Sequence, residues 1–353
     1  MIFKNCNING EITDIRTKNG KLAEIRKLSE QGTDLGGAKV FPGLIDIHTH
    51  GCIGYDTMDG DKLTEMSGYL ARNGVTSWLP TTMTMDIDTI KSVVNINIPQ
   101  TNGAEILGFH MEGPYISKKY KGAQNEEYIK APDIEEFKSL NNIRMVTLAP
   151  EQYKCMSFIK KCDAIVAIGH TDADYECTMR AIDNGAKCLT HVFNAMPPMH
   201  HRSPGPIGAA IDEDIYVQVI CDGLHIHKSI IKMLYRTFGK ERMILISDSM
   251  RAAGLDDGEY EFGGQRITVK NSVARTLDGA IAGSTSTLLQ CVRKAIEFGI
   301  PERAAFNMAS GTPATLLGLN KGRLAPGYDA DFIVTDDNYN TIMTVIAGES
   351  ING

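Results

Sequence analysis

The sequence predicts an α/β fold: a (β/α)8 TIM-type barrel with a small discontinuous β-sandwich domain formed by the N- and C-terminal segments. Three observations predict it. Eight short apolar runs end near His50, Thr82, Glu112, Ala149, His170, His191, Cys221 and Asp248, and successive ends lie 21 to 37 residues apart. Each gap holds an amphipathic, helix-like pattern, as a barrel of strand–helix units requires. Both ends of the chain read instead as antiparallel strands. The expected division is 1–40 and 321–353 for the small domain and 41–320 for the barrel, and the 353-residue length accommodates both. A doubly wound open sheet is the alternative architecture.

In the first segment Glu11-Ile12-Thr13-Asp14-Ile15 and Leu22-Ala23-Glu24-Ile25 flank Lys18-Asn19-Gly20-Lys21, a hairpin signal. The run Phe41-Pro42-Gly43-Leu44-Ile45-Asp46-Ile47-His48-Thr49-His50-Gly51 then reads as the first buried strand. Residues i and i+2 of a strand share a face, so His48 and His50 can converge on one ion. Ordinary histidines at a strand end are the competing reading. Residues 63–73, stopped by Gly74, and 172–184, stopped by Gly185, carry helix patterns. Residues 258–283 are glycine-rich and alternating, which predicts an inserted hairpin near the end of the barrel. The C-terminal segment places Gly327-Tyr328-Asp329-Ala330-Asp331 before two apolar runs, mirroring the first segment.

A formal charge of -7 argues against a nucleic-acid partner, because no basic stripe supplies the counterion-release term. Hydrophobic residues at 42% and charged residues at 22% describe a globular chain. The first ten residues lack a secretory signal and no apolar run approaches membrane-spanning length, so a cytoplasmic protein without a membrane partner is expected. The eight cysteines are scattered with no Cys-x-x-Cys pair and read as reduced, buried small side chains. Cys52, two residues after His50, stands apart from the rest.

The chemistry lies at the run ends. All nine histidines fall between His48 and His227, and the C-terminal tips of barrel strands form the active-site face. Glu112, His170, His191 and Asp248 each close an apolar run, where a charged or polar group is costly unless paired or bound to a cation. Such nitrogen and oxygen ligands suit Zn, Fe, Mn, Co or Ni, and affinity order does not choose among them. His110, two residues before Glu112, suits packing or support of a ligand.

These residues carry a resemblance. The stretch from Pro42 to Gly51, with Gly327-Tyr328-Asp329-Ala330-Asp331, resembles the amidohydrolase superfamily. Five further motifs narrow it: Gly108-Phe109-His110-Met111-Glu112-Gly113-Pro114, Gly169-His170-Thr171, His191-Val192-Phe193-Asn194-Ala195-Met196, Asp222-Gly223-Leu224-His225 and Ser247-Asp248. In order and over nearly the whole chain, they are similar to the N-acetylglucosamine-6-phosphate deacetylase family. The resemblance implies Glu112, His170 and His191 as principal metal ligands, His48 and His50 as the pair holding a second ion in members that keep it, and Asp248 as general acid/base that is also a metal ligand. It implies that Asn194, the Ala195 backbone, Arg202 and His225 grip a sugar phosphate, partly across a subunit boundary, and hence a homodimer. Gln124 stands where some members have a substrate-contacting histidine; an amide donates a hydrogen bond but does not titrate.

The expected chemistry agrees. A divalent ion lowers the pKa of a bound water from about 15.7 towards 7, giving a hydroxide nucleophile, and polarises a carbonyl. Asp248 would move the proton from that water to the departing amine, releasing acetate and glucosamine 6-phosphate. Arg202 lies in the loop Met199-His200-His201-Arg202-Ser203-Pro204-Gly205 and offers a phosphate-binding fork; a solvated turn arginine is the plain alternative. His200 and His201 carry no assignment, His227 is expected at solvent or a subunit contact, and Met196 and Met199 are expected to shape the pocket wall. The galacto epimer as substrate, another amidohydrolase reaction, and a non-catalytic sugar-phosphate sensor on the same barrel are the rival readings.

Overall fold

The computed structural model describes residues 1–277 and 279–351. Residue 278, inside the expected insertion, and residues 352 and 353 of the C-terminal segment lie outside the described residues.

Eight parallel strands form the barrel: Leu44–Thr49, Val75–Thr82, Phe109–Glu112, Ile143–Leu148, Ile165–Ile168, Cys188–Leu189, Tyr216–Ile220 and Met243–Ile246. The third strand is interrupted, because Glu105–Ile106 pairs lower on the second strand at Ser77 and Trp78 before Phe109–Glu112 joins at Thr81 and Thr82. At the rim the circle closes through Asp248 N to His48 O at 2.9 Å and His50 N to Ser249 O at 2.8 Å. The seam is therefore made by the first strand and the residues just past the eighth.

β-Branched and other apolar side chains fill the barrel because parallel strands are covered on both faces. Ile45, Ile47, Leu79, Met145, Ile220 and Ile246 form its inner layer, joined from below by Ala314 and Leu317 of the helix Gly311–Leu317. In the first strand the pairing slips between Asp46 and Thr49. That irregularity lets Ile45 and Ile47 point into the floor while His48 and His50 point into the rim above it.

The outer helices follow the sequence signals. Asp174 caps Tyr175–Asp183 by accepting from Cys177 N at 2.8 Å. Gly185 then ends it with φ +119°, a conformation open to glycine. Leu63–Arg72 stops the same way before Gly74 at φ +83°.

Both ends of the chain contribute to one eight-stranded sheet folded over its own core of Phe3, Ile15, Leu22, Val40, Phe332 and Val345. Lys18 pairs with Lys21 across the Asn-Gly turn. Lys39–Pro42 pairs with Phe332–Thr335 in this sheet, so the boundary expected at residue 41 falls inside that strand, and Gly43 begins the passage to the barrel. The insertion is three antiparallel strands, Gly258–Phe262, Gln265–Lys270 and Val273–Thr276, where the sequence suggested a hairpin. No helix among the described residues is long and apolar enough to cross a membrane.

Candidate metal centre

His48, His50, Glu112, His170, His191 and Asp248 meet at the C-terminal rim of the barrel, each at most 8% exposed. Strand ends bring them there, and backbone turns aim them. His170, His191 and Asp248 follow their strands with φ of 47°, 26° and 47°. Left-handed backbone is unfavourable for non-glycine residues and collects at functional sites. Here it folds each side chain back over the mouth.

Glu112 is the hub. Its Oε1 lies 3.3 Å from His48 Nε2, 3.4 Å from His170 Nε2 and 3.2 Å from His191 Nε2, while its Oε2 lies 3.3 Å from His50 Nε2. Two groups of three donor atoms thus share one carboxylate: His48, His50 and Glu112, and Glu112, His170 and His191. Asp248 Oδ1 stands 3.4 Å from both His48 and His50.

The donor set fits a cation. His50 Nδ1 faces Thr81 O at 3.1 Å and His170 Nδ1 faces Tyr120 O at 2.9 Å. A carbonyl only accepts, so these rings carry their proton on Nδ1 and turn the Nε2 lone pair inward. His48 Nδ1 is matched by Gln218 Oε1 at 3.0 Å, with the same consequence. His48 Nε2 and His50 Nε2 then oppose each other at 3.3 Å, two acceptors beside two carboxylates. Positive charge between them removes the repulsion, and a divalent metal supplies it.

The electrostatics agree. Burial alone would raise the carboxyl of Asp248, but His48 and His50 outweigh it and bring it down to about 2. Glu112, also opposed by burial, is drawn well below the carboxylate range by His48 and His170. Burial works against charge on His50, yet Asp248 and Glu112 push it up to about 10, so these acids draw positive charge to this spot and a proton competes with a cation for Nε2. His110 sits one layer down, neutral through burial and the nearness of His48, with Nδ1 at Ile47 O and Nε2 at Thr147 Oγ1.

Above the rim lies a cavity of about 320 Å³ lined by His50, Glu112, Gln124, His170, His191, Asn194, Ala195, His225 and Asp248, with Phe262 of the insertion on one wall. Gln124 accepts from Thr84 N at 2.8 Å and donates to Glu112 Oε2 at 2.6 Å. His225 is braced by Asp222 at 2.7 Å; burial would lower its pKa, but this contact raises it. Arg202 is not brought to this cavity within its own chain. It sits on an exposed turn, donates to His201 Nε2 at 2.7 Å and lines a separate cleft with Tyr175 and Pro204.

Other expectations change. Met196 packs into the outer core and Met199 is 42% exposed, so neither forms the pocket wall. His200 and His201 lie ring against ring in the exposed turn, centroids 4.1 Å apart and tilted by 46°. His227 is exposed, as expected, and also caps the helix Lys228–Arg242 by accepting from Ser229 N. Cys52 is an inert core residue whose thiol burial pushes up to about 12. Sequence reasoning missed Gln218, the cavity-lining Phe193 and Phe262, and the carbonyls of Thr81 and Tyr120. Only Gln218 left a trace, as the polar interruption of Tyr216-Val217-Gln218-Val219-Ile220.

A model of the amidohydrolase family matches residues 40–351. The N-acetylglucosamine-6-phosphate deacetylase of Bacillus subtilis (strain 168) is 37% identical over 96% of this chain and 90% of its own length. The N-acetylgalactosamine-6-phosphate deacetylase of Escherichia coli O157:H7 is 34% identical over 95% and 93%. Among solved structures, N-acetylglucosamine-6-phosphate deacetylase from Thermotoga maritima superposes with a TM-score of 0.92 at 32% identity, covering 100% of this chain and 99% of that one. A mutant Mycobacterium smegmatis enzyme in complex with N-acetyl-D-glucosamine-6-phosphate gives 0.93 at 31%, with the same coverage.

Proposed function

The chain belongs to the amidohydrolase family, and on that premise we propose that it is a metal-dependent enzyme that hydrolyses N-acetyl-D-glucosamine 6-phosphate to D-glucosamine 6-phosphate and acetate. The observation that carries this reading is the pair of cation clusters joined by Glu112 and faced by Asp248, in a chain aligned almost end to end with deacetylases of that substrate.

Glu112, His170 and His191 would hold one divalent ion, and His48, His50 and Glu112 a second; Zn, Fe, Mn, Co and Ni all suit these donors. A bound ion supplies Lewis acidity and an acidified water. Asp248, facing both His48 and His50 at 3.4 Å, accepts a proton from the attacking water and returns it to the nitrogen as the C–N bond breaks. Gln124 has one amide hydrogen committed to Glu112, which leaves the other for the acetyl group. Asn194, the Ala195 backbone and His225 line the cavity and would grip the sugar phosphate. Arg202 lies outside its own chain's cavity, so we assign it to a neighbouring copy in a homodimer. All eight cysteines are unpaired, which suits a cytoplasmic enzyme.

A second reading, the N-acetylgalactosamine 6-phosphate substrate, is favoured by the 34% identical relative that bears that name. Acetate release from both sugars decides between them. The gluco epimer should show the larger kcat/KM, and a galacto preference would overturn the substrate assignment. No acetate from either, with the metal bound, would favour a non-catalytic sensor.

A further inference from the structure

We propose that Gln218 is a positioning residue for the His48–His50–Glu112 cluster: its carboxamide oxygen holds the Nδ1 proton of His48 and so turns the Nε2 lone pair towards the cation. This inference rests on the metal reading of that cluster.

Gln218 lies mid-strand in Tyr216–Ile220, fully buried, with its side chain in the inner layer beside Met145. A buried amide is costly unless its hydrogen bonds are made. Its oxygen has one partner, His48 Nδ1 at 3.0 Å. Among the described residues its nitrogen reaches only Met145 Sδ at 3.3 Å, a weak acceptor. A residue placed there for packing alone would be apolar. The amide is explained by what it does to His48.

The other rings show why this matters. His50 and His170 take their Nδ1 acceptors from main-chain carbonyls, which the fold fixes whatever the side chains are. His48 takes its acceptor from a side chain. Without Gln218 the proton of His48 could move to Nε2, point at His50 and block coordination, because a protonated nitrogen cannot be a ligand.

The test uses the Zn²⁺-loaded enzyme, titrated with the chelator nitrilotriacetate while retained zinc and the melting temperature are followed. Gln218→Met keeps the volume and removes the acceptor, and Gln218→Glu keeps an acceptor oxygen. Wild type should lose zinc in two steps. Gln218→Met should release the weaker ion at a chelator level about 10- to 100-fold lower, with the tighter step unmoved and the zinc-free protein melting no lower than wild type. Gln218→Glu should follow wild type.

A two-step Gln218→Met curve that coincides with wild type would overturn the proposal, as would Gln218→Glu losing zinc as readily as Gln218→Met. Should Gln218→Met fail to fold, Gln218→Asn, which falls one carbon short of His48, reads the same contrast and must show the same early release. A wild type that holds one ion and loses it in one step would remove the metal reading of the His48–His50 cluster, and the proposal with it.

Discussion

Gln124 donates to Glu112 Oε2 at 2.6 Å, so one oxygen of the shared carboxylate has a fixed donor while the other faces His48, His170 and His191. Gln124→Ala frees that oxygen and leaves Thr84 N without its acceptor. Metal retention should fall about 10- to 100-fold, the usual effect of losing a ligand's hydrogen-bond partner. Metal content after dialysis against a weak chelator measures it, and wild-type retention would show that Glu112 is held well enough by the histidines.

Asp248→Asn keeps the shape of the side chain and removes its ability to take a proton. Turnover should drop by about 10² to 10⁴, with metal content close to wild type because both clusters of three keep every member. A loss under tenfold would remove Asp248 from the proton transfer.

Asp14 lies fully buried in the small sheet. It accepts from Lys4 Nζ at 2.9 Å, Asn5 N at 2.9 Å and Leu28 N at 2.8 Å. Burial alone would raise its pKa, but these donors hold it below the ordinary carboxylate value. Its stabilising contribution is therefore complete above the unfolded pKa of about 4 and lost as pH falls below it. The urea midpoint of wild type should fall more steeply than that of Asp14→Asn between about pH 5 and pH 2.5. At pH 7 the variant should be less stable by roughly 2 kcal/mol, the worth of a hydrogen bond to charge. Parallel pH profiles would contradict this.

Lys321 is 8% exposed at the joint between barrel and sheet. It pairs with Asp331, with Glu105 at 2.7 Å and with Asp329 at 3.4 Å. Lys321→Met strands the buried Asp331 and should cost about 3 kcal/mol in urea unfolding. Adding Asp331→Asn should recover part of the loss; a double variant no better than the single would mean that Asp331 is not the group left stranded.

The barrel was legible because each strand and helix signals locally: apolar runs, caps and glycine stops are properties of neighbouring residues. Glu112, His170, His191 and Asp248 were legible as polar endings of apolar runs. Gln218 was not, since its partner is 170 positions away and one amide in a β-run has many plain explanations. Thr81 and Tyr120 act through carbonyls, which every residue has, so their identity carries no signal. Met196 and Met199 were misjudged because the turn after His191 sends one into the core and the other to solvent.

The rim seam has a consequence for how the molecule comes into being. Asp248 N reaches His48 O, and Ser249 O receives His50 N, so the chain segments that close the barrel are those that carry the histidine pair and the acid. A ribosome must deliver some two hundred residues after His48 before these bonds can form, and loop closure over that span is slow. Until then His48 and His50 lack Asp248, and the barrel stands open. The centre therefore cannot be complete before the eighth strand has been made, and a chain that stalls before that strand has neither a closed barrel nor the acid that faces the histidine pair.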